Sequence, residues 1–398
     1  RQNAALPECV DLVPAEVENY PHAAAGKTPR GTALEGSLHL AMGCNALSFA
    51  VVCGWYEPLP WYSRLLERLA AWRPFWERAA RHCAGTHPAG LEVRLGRDRA
   101  GRPLREGERP FAWTAAPVEY AYDLASLGLP LCAGPQSASA VLLTPEAAEG
   151  MTDADLEAVF AAGVLTDGRT VRALEDRGLA QLAGLRTRPL TAGALVDRLT
   201  PPADSPPEQP SSDWRCRHYF DSSGPFALEG FSPAARVLSL YCDEAGAELG
   251  ASCALTENSL GGRVAVIGSG LYSQAISSRL QSRLLEAADW ASHGRLPVLP
   301  EAPAQVLLVP RATPDGELRA VFVLNPTIDE LPPLRLRLRG TDSSRAAWLR
   351  PEAEPTQLSL DSASGGPLVT LPPLPPWSAG WLLPGHPTTS LAEGSGPR

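Results

Sequence analysis

Leu12–Asn19 reads LVPAEVEN, and Tyr20, Pro21 and His22 follow it. The run continues a strand pattern over Val10–Glu18 and carries two carboxylates, Glu16 and Glu18, at its end. Alternate residues of a strand share a face, so the i, i+2 spacing puts both carboxylates on one side. A turn-rich segment, Ala23–Pro29, comes next, then apolar residues at helical spacing over Thr32–Met42: Ala33, Leu34, Leu38, Ala41 and Met42. A second apolar run, Leu47–Cys53, is continuous as buried parallel strands are, and it ends in Gly54, Trp55, Tyr56 and Glu57. Strand, loop, helix and strand, with polar and aromatic groups at both strand ends, make the kind of corner where α/β barrels and open α/β sheets hold ligands.

Outward from this corner, Trp61–Cys83 reads as a long helix whose apolar stripe is Leu65, Leu66, Leu69, Trp72 and Trp76. Two βα units do not close a barrel, which needs eight. Residues 1–86 are therefore read as the C-terminal portion of a TIM (β/α)8 barrel. The chain opens on Arg1 rather than Met, just before a strand, and is expected to be N-terminally truncated. Residues 87–116, rich in Gly, Arg and Glu, read as a linker or small hairpin.

From 117 the α/β alternation returns. Ala138–Leu143 is a strand, Thr152 caps a helix over Asp153–Ala162, Gly163–Thr166 is a strand before an Asp167–Gly168 turn, and a helix over Thr170–Arg177 stops at Gly178. An inserted β segment occupies about 188–256, with a Pro/Ser-rich linker at Pro201–Ser212. Arg263–Ile267 and a helix over Ser273–Ala291, with Ile276, Leu280, Leu284, Leu285 and Ala288 on one face, complete a Rossmann-like layered domain over 117–304. Short strands between turn residues then form a small all-β sandwich over 305–385, and 386–398 read as a disordered tail. The expected class is an α/β multidomain chain.

At 398 residues the chain has room for two to three domains. A net charge of −9 leaves no basic excess to neutralise phosphates, which argues against a nucleic-acid or anionic-membrane partner. Lys27 is the sole lysine, which reads as codon bias toward arginine. No apolar run spans a bilayer and no signal peptide opens the chain. The eight cysteines include no C-x-x-C pair and no zinc-ligand spacing, so they read as buried thiols in a reducing, cytoplasmic compartment. Neither a metal nor a cofactor is expected.

Glu16 and Glu18, like charges on one strand face, are a candidate catalytic pair; the plain alternative is a salt bridge to Arg30 or another arginine. Gly268–Gly270 resembles half a phosphate loop but lacks the third glycine, and a turn is the better reading. Ile267–Leu271 reads IGSGL and is not a nucleophile elbow. Neither Leu142–Pro145 nor Ala162–Thr166 holds a cysteine, so the second α/β region is expected to be non-catalytic. Of the seven histidines, His22 alone follows the carboxylate pair closely.

EVENYP (Glu16–Pro21), KTPR (Lys27–Arg30), AMGCNA (Ala41–Ala46), the strand ending in Gly54-Trp55, WRPFW (Trp72–Trp76) and GVLTDG (Gly163–Gly168) together resemble microbial β-galactosidases of glycoside hydrolase family 42. The departure at Glu18-Asn19-Tyr20 points to a close sister family with another sugar preference. The resemblance implies a barrel, then a class I glutamine amidotransferase-like trimerisation domain without its nucleophile, then a small β-domain, and hence a homo-trimer. It implies a retaining β-glycosidase acting on a carbohydrate substrate, with Glu16 as nucleophile and Glu18 as the alternate. Trp55 would floor the sugar site, with barrel-mouth packing as the plain alternative; Asn19, Tyr20, His22 and Tyr56 would lie beside the substrate. The acid/base carboxylate would sit on a strand upstream of Arg1, so the fragment alone is expected to be inactive. Two other classes stand beside this one: a non-catalytic carbohydrate-binding or assembly protein, and an amidotransferase, which the missing Cys–His pair disfavours.

Overall fold

A computed structural model describes residues 6, 9–19, 23–52, 57–94, 123–135, 138–191, 194–200, 215–219, 225–232 and 234–386. The Pro201–Ser212 linker and residues 387–398 of the expected tail lie outside the described residues. The chain divides into two compact units, one made of 1–90, 125–138 and 296–398, the other of 91–124 and 139–295.

The first unit begins with β1 (Pro14–Glu18), α1 (Pro29–Ala41), β2 (Ala46–Ala50) and α2 (Ser63–Cys83). β1 and β2 pair in parallel, with Glu16 opposite Ser48 and Glu18 opposite Ala50, and a parallel pair needs the helical crossover that α1 supplies. Thr28 Oγ1 caps α1 by accepting from Gly31 N at 3.0 Å, and Pro29 opens the helix. α1 starts three residues before the expected Thr32 and ends at Ala41, leaving Met42 exposed at its cap. In α2 the buried stripe is Leu65, Trp72, Phe75, Trp76, Ala79 and Cys83. Leu66 is exposed, contrary to its expected place on that stripe, because it stands about 100° round the helix from Leu65. Trp61 belongs to a separate 3-10 turn, Leu59–Tyr62, whose prolines do not carry an α-helix.

Residues 296–386 form most of a nine-stranded antiparallel sheet, ordered Val298–Pro300, Leu334–Leu338, Leu368–Leu371, Thr356–Asp361, Arg345–Leu349, Ser378–Pro384, Leu318–Asn325, Leu307–Ala312 and His87–Pro88. Val298–Pro300, ahead of the expected start at 305, and Thr356–Asp361, whose exposed face is too polar to read as a strand, both belong to it. Its central strands read as unbroken apolar runs such as AVFVL because both faces are covered. One set, including Val321, Val323, Trp348 and Leu382, packs inward among the strands. The alternating set, including Phe322, Leu349, Trp381 and Leu383, packs against Leu34, Trp72, Phe75 and Trp76 of α1 and α2. Phe49 stacks on Trp76 at 5.5 Å and Phe322 tilts onto Trp381 at 5.1 Å, so β2 and the sheet share one aromatic core.

Arg311 fastens this junction. It is 5% exposed, and its guanidinium donates to Thr86 Oγ1 (3.0 Å), Ala41 O (3.2 Å), Cys83 O (3.5 Å) and Thr86 O. Ala41 and Cys83 end α1 and α2, so a single cation satisfies orphan carbonyls at the negative ends of two helix dipoles. Burial pulls its pKa below the ordinary arginine value.

The second unit is a mixed sheet ordered Arg215–Tyr219, Ala194–Leu199, Arg236–Cys242, Glu248–Glu257, Arg263–Ile267, Val164–Asp167, Ala138–Leu143 and Gly90–Arg94. Its centre is parallel, with Val164 paired to both Val264 and Val141, and the β segment expected at 188–256 extends it with antiparallel strands. Gly90–Arg94, expected within a linker or hairpin, is a strand of this sheet: Leu91 and Val93 are buried, and Arg94 neutralises the buried Glu92 at 2.8 Å. Asp167 ends a strand rather than forming a turn, and it caps the helix Gly168–Asp176 by accepting from Thr170 N at 2.9 Å. Gly163 has φ +117, and a Cβ there would stand 2.2 Å from Ala291 O, so only glycine fits. Ile276, expected on a buried helix face, is exposed, because it closes a 3-10 turn and the α-helix starts at Ser278. Among the described residues no helix is long and apolar enough to cross a membrane.

Candidate active site

The alternation of β1 decides where its carboxylates go. Ala15, Val17 and Asn19 are buried, while Glu16 and Glu18 are exposed on the opposite side. On β2, Leu47 and Phe49 approach Gly36 of α1, which assigns Ser48 and Ala50 to the carboxylate face. The parallel register sets these two small residues against Glu16 and Glu18. Among the described residues neither carboxylate forms an ion pair; Arg30 donates instead to Pro376 O at 3.4 Å.

Asn19 is 0% exposed. Its Nδ2 donates to Ala23 O at 2.7 Å and its backbone N–H to Ala50 O at 3.3 Å, so it ties the segment after β1 to the end of β2. Its Oδ1 has no donor among the described residues. A Cβ on Gly26 would stand 2.5 Å from that oxygen, so the loop closes over Asn19 only with glycine at 26. Tyr20, His22, Trp55 and Tyr56 lie outside the described residues.

Glu57 was not among the expected site residues, yet it joins the two strand-end loops. Its Oε2 accepts from Tyr62 OH at 2.7 Å and from Ala24 N at 2.6 Å, and these two bonds, the tyrosine's first, hold its pKa below the ordinary value. The available signal was an acid directly after the aromatic strand end and before Pro58. Lys27 and Glu35 pair at 2.6 Å beside the same loop.

Elsewhere the polar chemistry is enclosed. In the second unit Arg283 pairs with Asp197 at 2.6 Å, both buried. Ser252 donates to Asp197 at 2.6 Å, Arg283 donates to Ser239, and Arg283 donates to Gln274 Oε1 at 2.7 Å. Arg283 falls three residues after Leu280 on the buried stripe of its helix, a position the sequence reading gave to apolar residues alone. Burial pushes the Cys253 thiol up to about 12, which makes it an inert neighbour of this cluster. Burial likewise raises Asp167 to about 6 despite two hydrogen bonds from Thr170. Among the described residues no group of three or more His, Cys, Asp or Glu is placed to hold a metal ion.

No protein-family model and no curated protein matches the chain. Among solved structures, α-L-fucosidase isoenzyme 2 from Paenibacillus thiaminolyticus aligns with a TM-score of 0.58 at 14% identity, over 92% of this chain and 58% of its own. A β-galactosidase from the psychrophilic Marinomonas ef1 aligns at 0.47 with 13% identity, over 90% and 50%. A rhamnosidase from Novosphingobium sp. PP1Y aligns at 0.43 with 14% identity, over 94% and 31%. The chain thus spans less than two thirds of the length of each of these proteins. What it shares with the fucosidase is a fold, that of a multidomain α/β chain.

Proposed function

We propose that this chain is the C-terminal part of a retaining glycosidase, with Glu16 as nucleophile and Glu18 as the alternate. The observation that supports the reading is the exposed side of β1 and β2, where two carboxylates with no ion pair among the described residues lie in register with Ser48 and Ala50 at the carboxyl end of a parallel pair. In this reading β1 and β2 are the last strands of a TIM barrel, and an upstream strand brings an acid/base carboxyl about 5–5.5 Å from the nucleophile. The nucleophile attacks the anomeric carbon while the acid protonates the departing oxygen. Water then cleaves the glycosyl ester, with the same group acting as base. Asn19 acts by positioning the loop that carries Tyr20 and His22, and Trp55 and Tyr56 flank the sugar.

The family resemblance makes a β-galactoside the first substrate class, and the likeness to the fucosidase makes an α-L-fucoside the second. The second unit, amidotransferase-like in this reading, holds a homo-trimer. The test is covalent labelling of the full-length gene product with 2-deoxy-2-fluorogalactosyl and 2-deoxy-2-fluorofucosyl fluorides, followed by peptide mass mapping. Label on Glu16 supports the assignment, label on Glu18 moves it by two residues, and no label on either ends it.

A further inference from the structure

Among the described residues of the first unit, two non-glycine residues have left-handed backbone: Glu352 (φ +56) and Trp377 (φ +48). Such a conformation is costly for a bulky side chain and persists only where its surroundings fix it. Asn325 does the fixing. It is fully buried, and its Nδ2 donates to Asp329 O (2.8 Å), Leu374 O (2.9 Å) and Pro375 O (3.1 Å), while its Oδ1 accepts from Thr327 N (3.0 Å) and Thr327 Oγ1 (2.8 Å). Ser378 Oγ donates to Pro375 O at 2.6 Å, and Trp377 N to Thr327 O at 3.2 Å. Two loops are thereby locked together, and both end in exposed apolar groups: Trp377 is 49% exposed and Ile328 78%.

The location gives this rigid ledge a use. Arg30, in the first turn of α1, donates to Pro376 O at 3.4 Å, which sets the ledge beside the loop leaving the carboxyl end of β1. Asp329 and Glu330 follow Ile328, are exposed, and form no ion pair among the described residues. The indole stands on a backbone that these bonds fix, and the exposed side chains of Asp329, Glu330 and Arg30 belong to the segments bonded to it; together they offer what a pyranose takes, an apolar plate for its C–H face, acceptors for its hydroxyl protons and a donor to its hydroxyl oxygens.

We propose that Trp377 and Ile328, with Asp329, Glu330 and Arg30, form an accessory carbohydrate-binding subsite that takes a distal pyranose of an extended saccharide; the substrate class rests on the glycosidase reading. The test is calorimetric titration of the 398-residue chain with β-1,4-galactotetraose and with 2′-fucosyllactose. Binding of at least one probe, weakened about tenfold by Trp377→Ala and less than threefold by Trp377→Phe, is the expected result. The phenylalanine variant keeps an aromatic plate and guards against misfolding as the cause of a loss. Failure of the parent chain to bind either probe, or equal binding by Trp377→Ala, overturns the proposal. So does a Trp377→Ala variant that lowers the light-scattering mass and leaves sugar binding intact, because the ledge is then a contact between copies. Labelling of Glu16 is read separately, so sugar binding without labelling sinks the catalytic reading alone, and labelling with no Trp377 effect sinks this one alone.

Discussion

Replacing Arg311 with methionine is expected to destabilise the first unit by about 3 kcal/mol. The arginine makes four hydrogen bonds, to Thr86 Oγ1, Ala41 O, Cys83 O and Thr86 O. Methionine fills similar volume and removes the desolvation cost of a buried charge, which alone would stabilise the fold. Against that, the carbonyls ending α1 and α2 lose their donors inside a closed junction, at roughly 1–3 kcal/mol for each orphaned group. Two partly buried helix-dipole interactions of up to about 2 kcal/mol each are also lost. The losses win, and the net is about 3 kcal/mol. Urea unfolding followed by tryptophan emission reads it directly, since Trp72, Trp76, Trp348 and Trp381 all sit in the cores of this unit. The midpoint is expected to fall by about 1–2 M. Arg311→Lys retains the charge but not the planar fork and should lose more than half as much. A methionine variant within about 0.5 kcal/mol of the parent would refute the double-cap reasoning.

Asp167 keeps its proton to about pH 6 in the folded chain against an ordinary value of 3.8. The folded state therefore binds more protons between those values, and stability falls by up to about 3 kcal/mol as pH rises from about 4 to 6; Asp167→Asn should flatten that slope in chemical denaturation. Asp197→Ala leaves Arg283 buried without its counter-ion and should cost the second unit about 3–5 kcal/mol, measured by urea melts. Glu57→Gln should speed hydrogen exchange at Ala24 N–H, and unchanged exchange would show that the carboxylate does not hold that loop. Light scattering of the chain at micromolar concentration should show a trimer, and a strict monomer excludes the second unit as an assembly domain.

Local pattern carried much of this architecture. The parity of PAEVE fixed which residues of β1 are exposed, and Gly178 marked the stop of its helix correctly. The pattern failed where compensation comes from far along the chain. Nothing around Arg311 announces that Ala41, 270 residues earlier, accepts its proton, and nothing around Arg283 announces Asp197, 86 residues away. A charge on a buried face reads as an error until its partner is placed. The short strands between turn residues over 305–385 were legible as strands, but the helices covering them were not, because pairing between distant surfaces leaves no local period. Sequence spacing put Glu16 and Glu18 on one strand face, while Glu57 was passed over because its two hydrogen bonds reach across a loop.

The shared core of α1, α2 and the antiparallel sheet also sets an order of assembly during synthesis. The second unit is nearly continuous in sequence, whereas the first is spliced from three stretches, two that flank it and one, 125–138, that interrupts it. On a ribosome adding about 5–20 residues per second, α1 waits roughly 15–50 s for Arg311 to emerge after Ala41. Through that interval Trp72, Phe75 and Trp76 have only α1 and β2 to pack against and lack the sheet that covers them, while the strands at 139–267 and the helix at 278–291 are already free to close. The core that joins α1, α2 and the sheet thus closes only after Trp381 has been made, although its helices come from residues 29–83. Any factor that shields newly made apolar helices acts on this chain at α1 and α2.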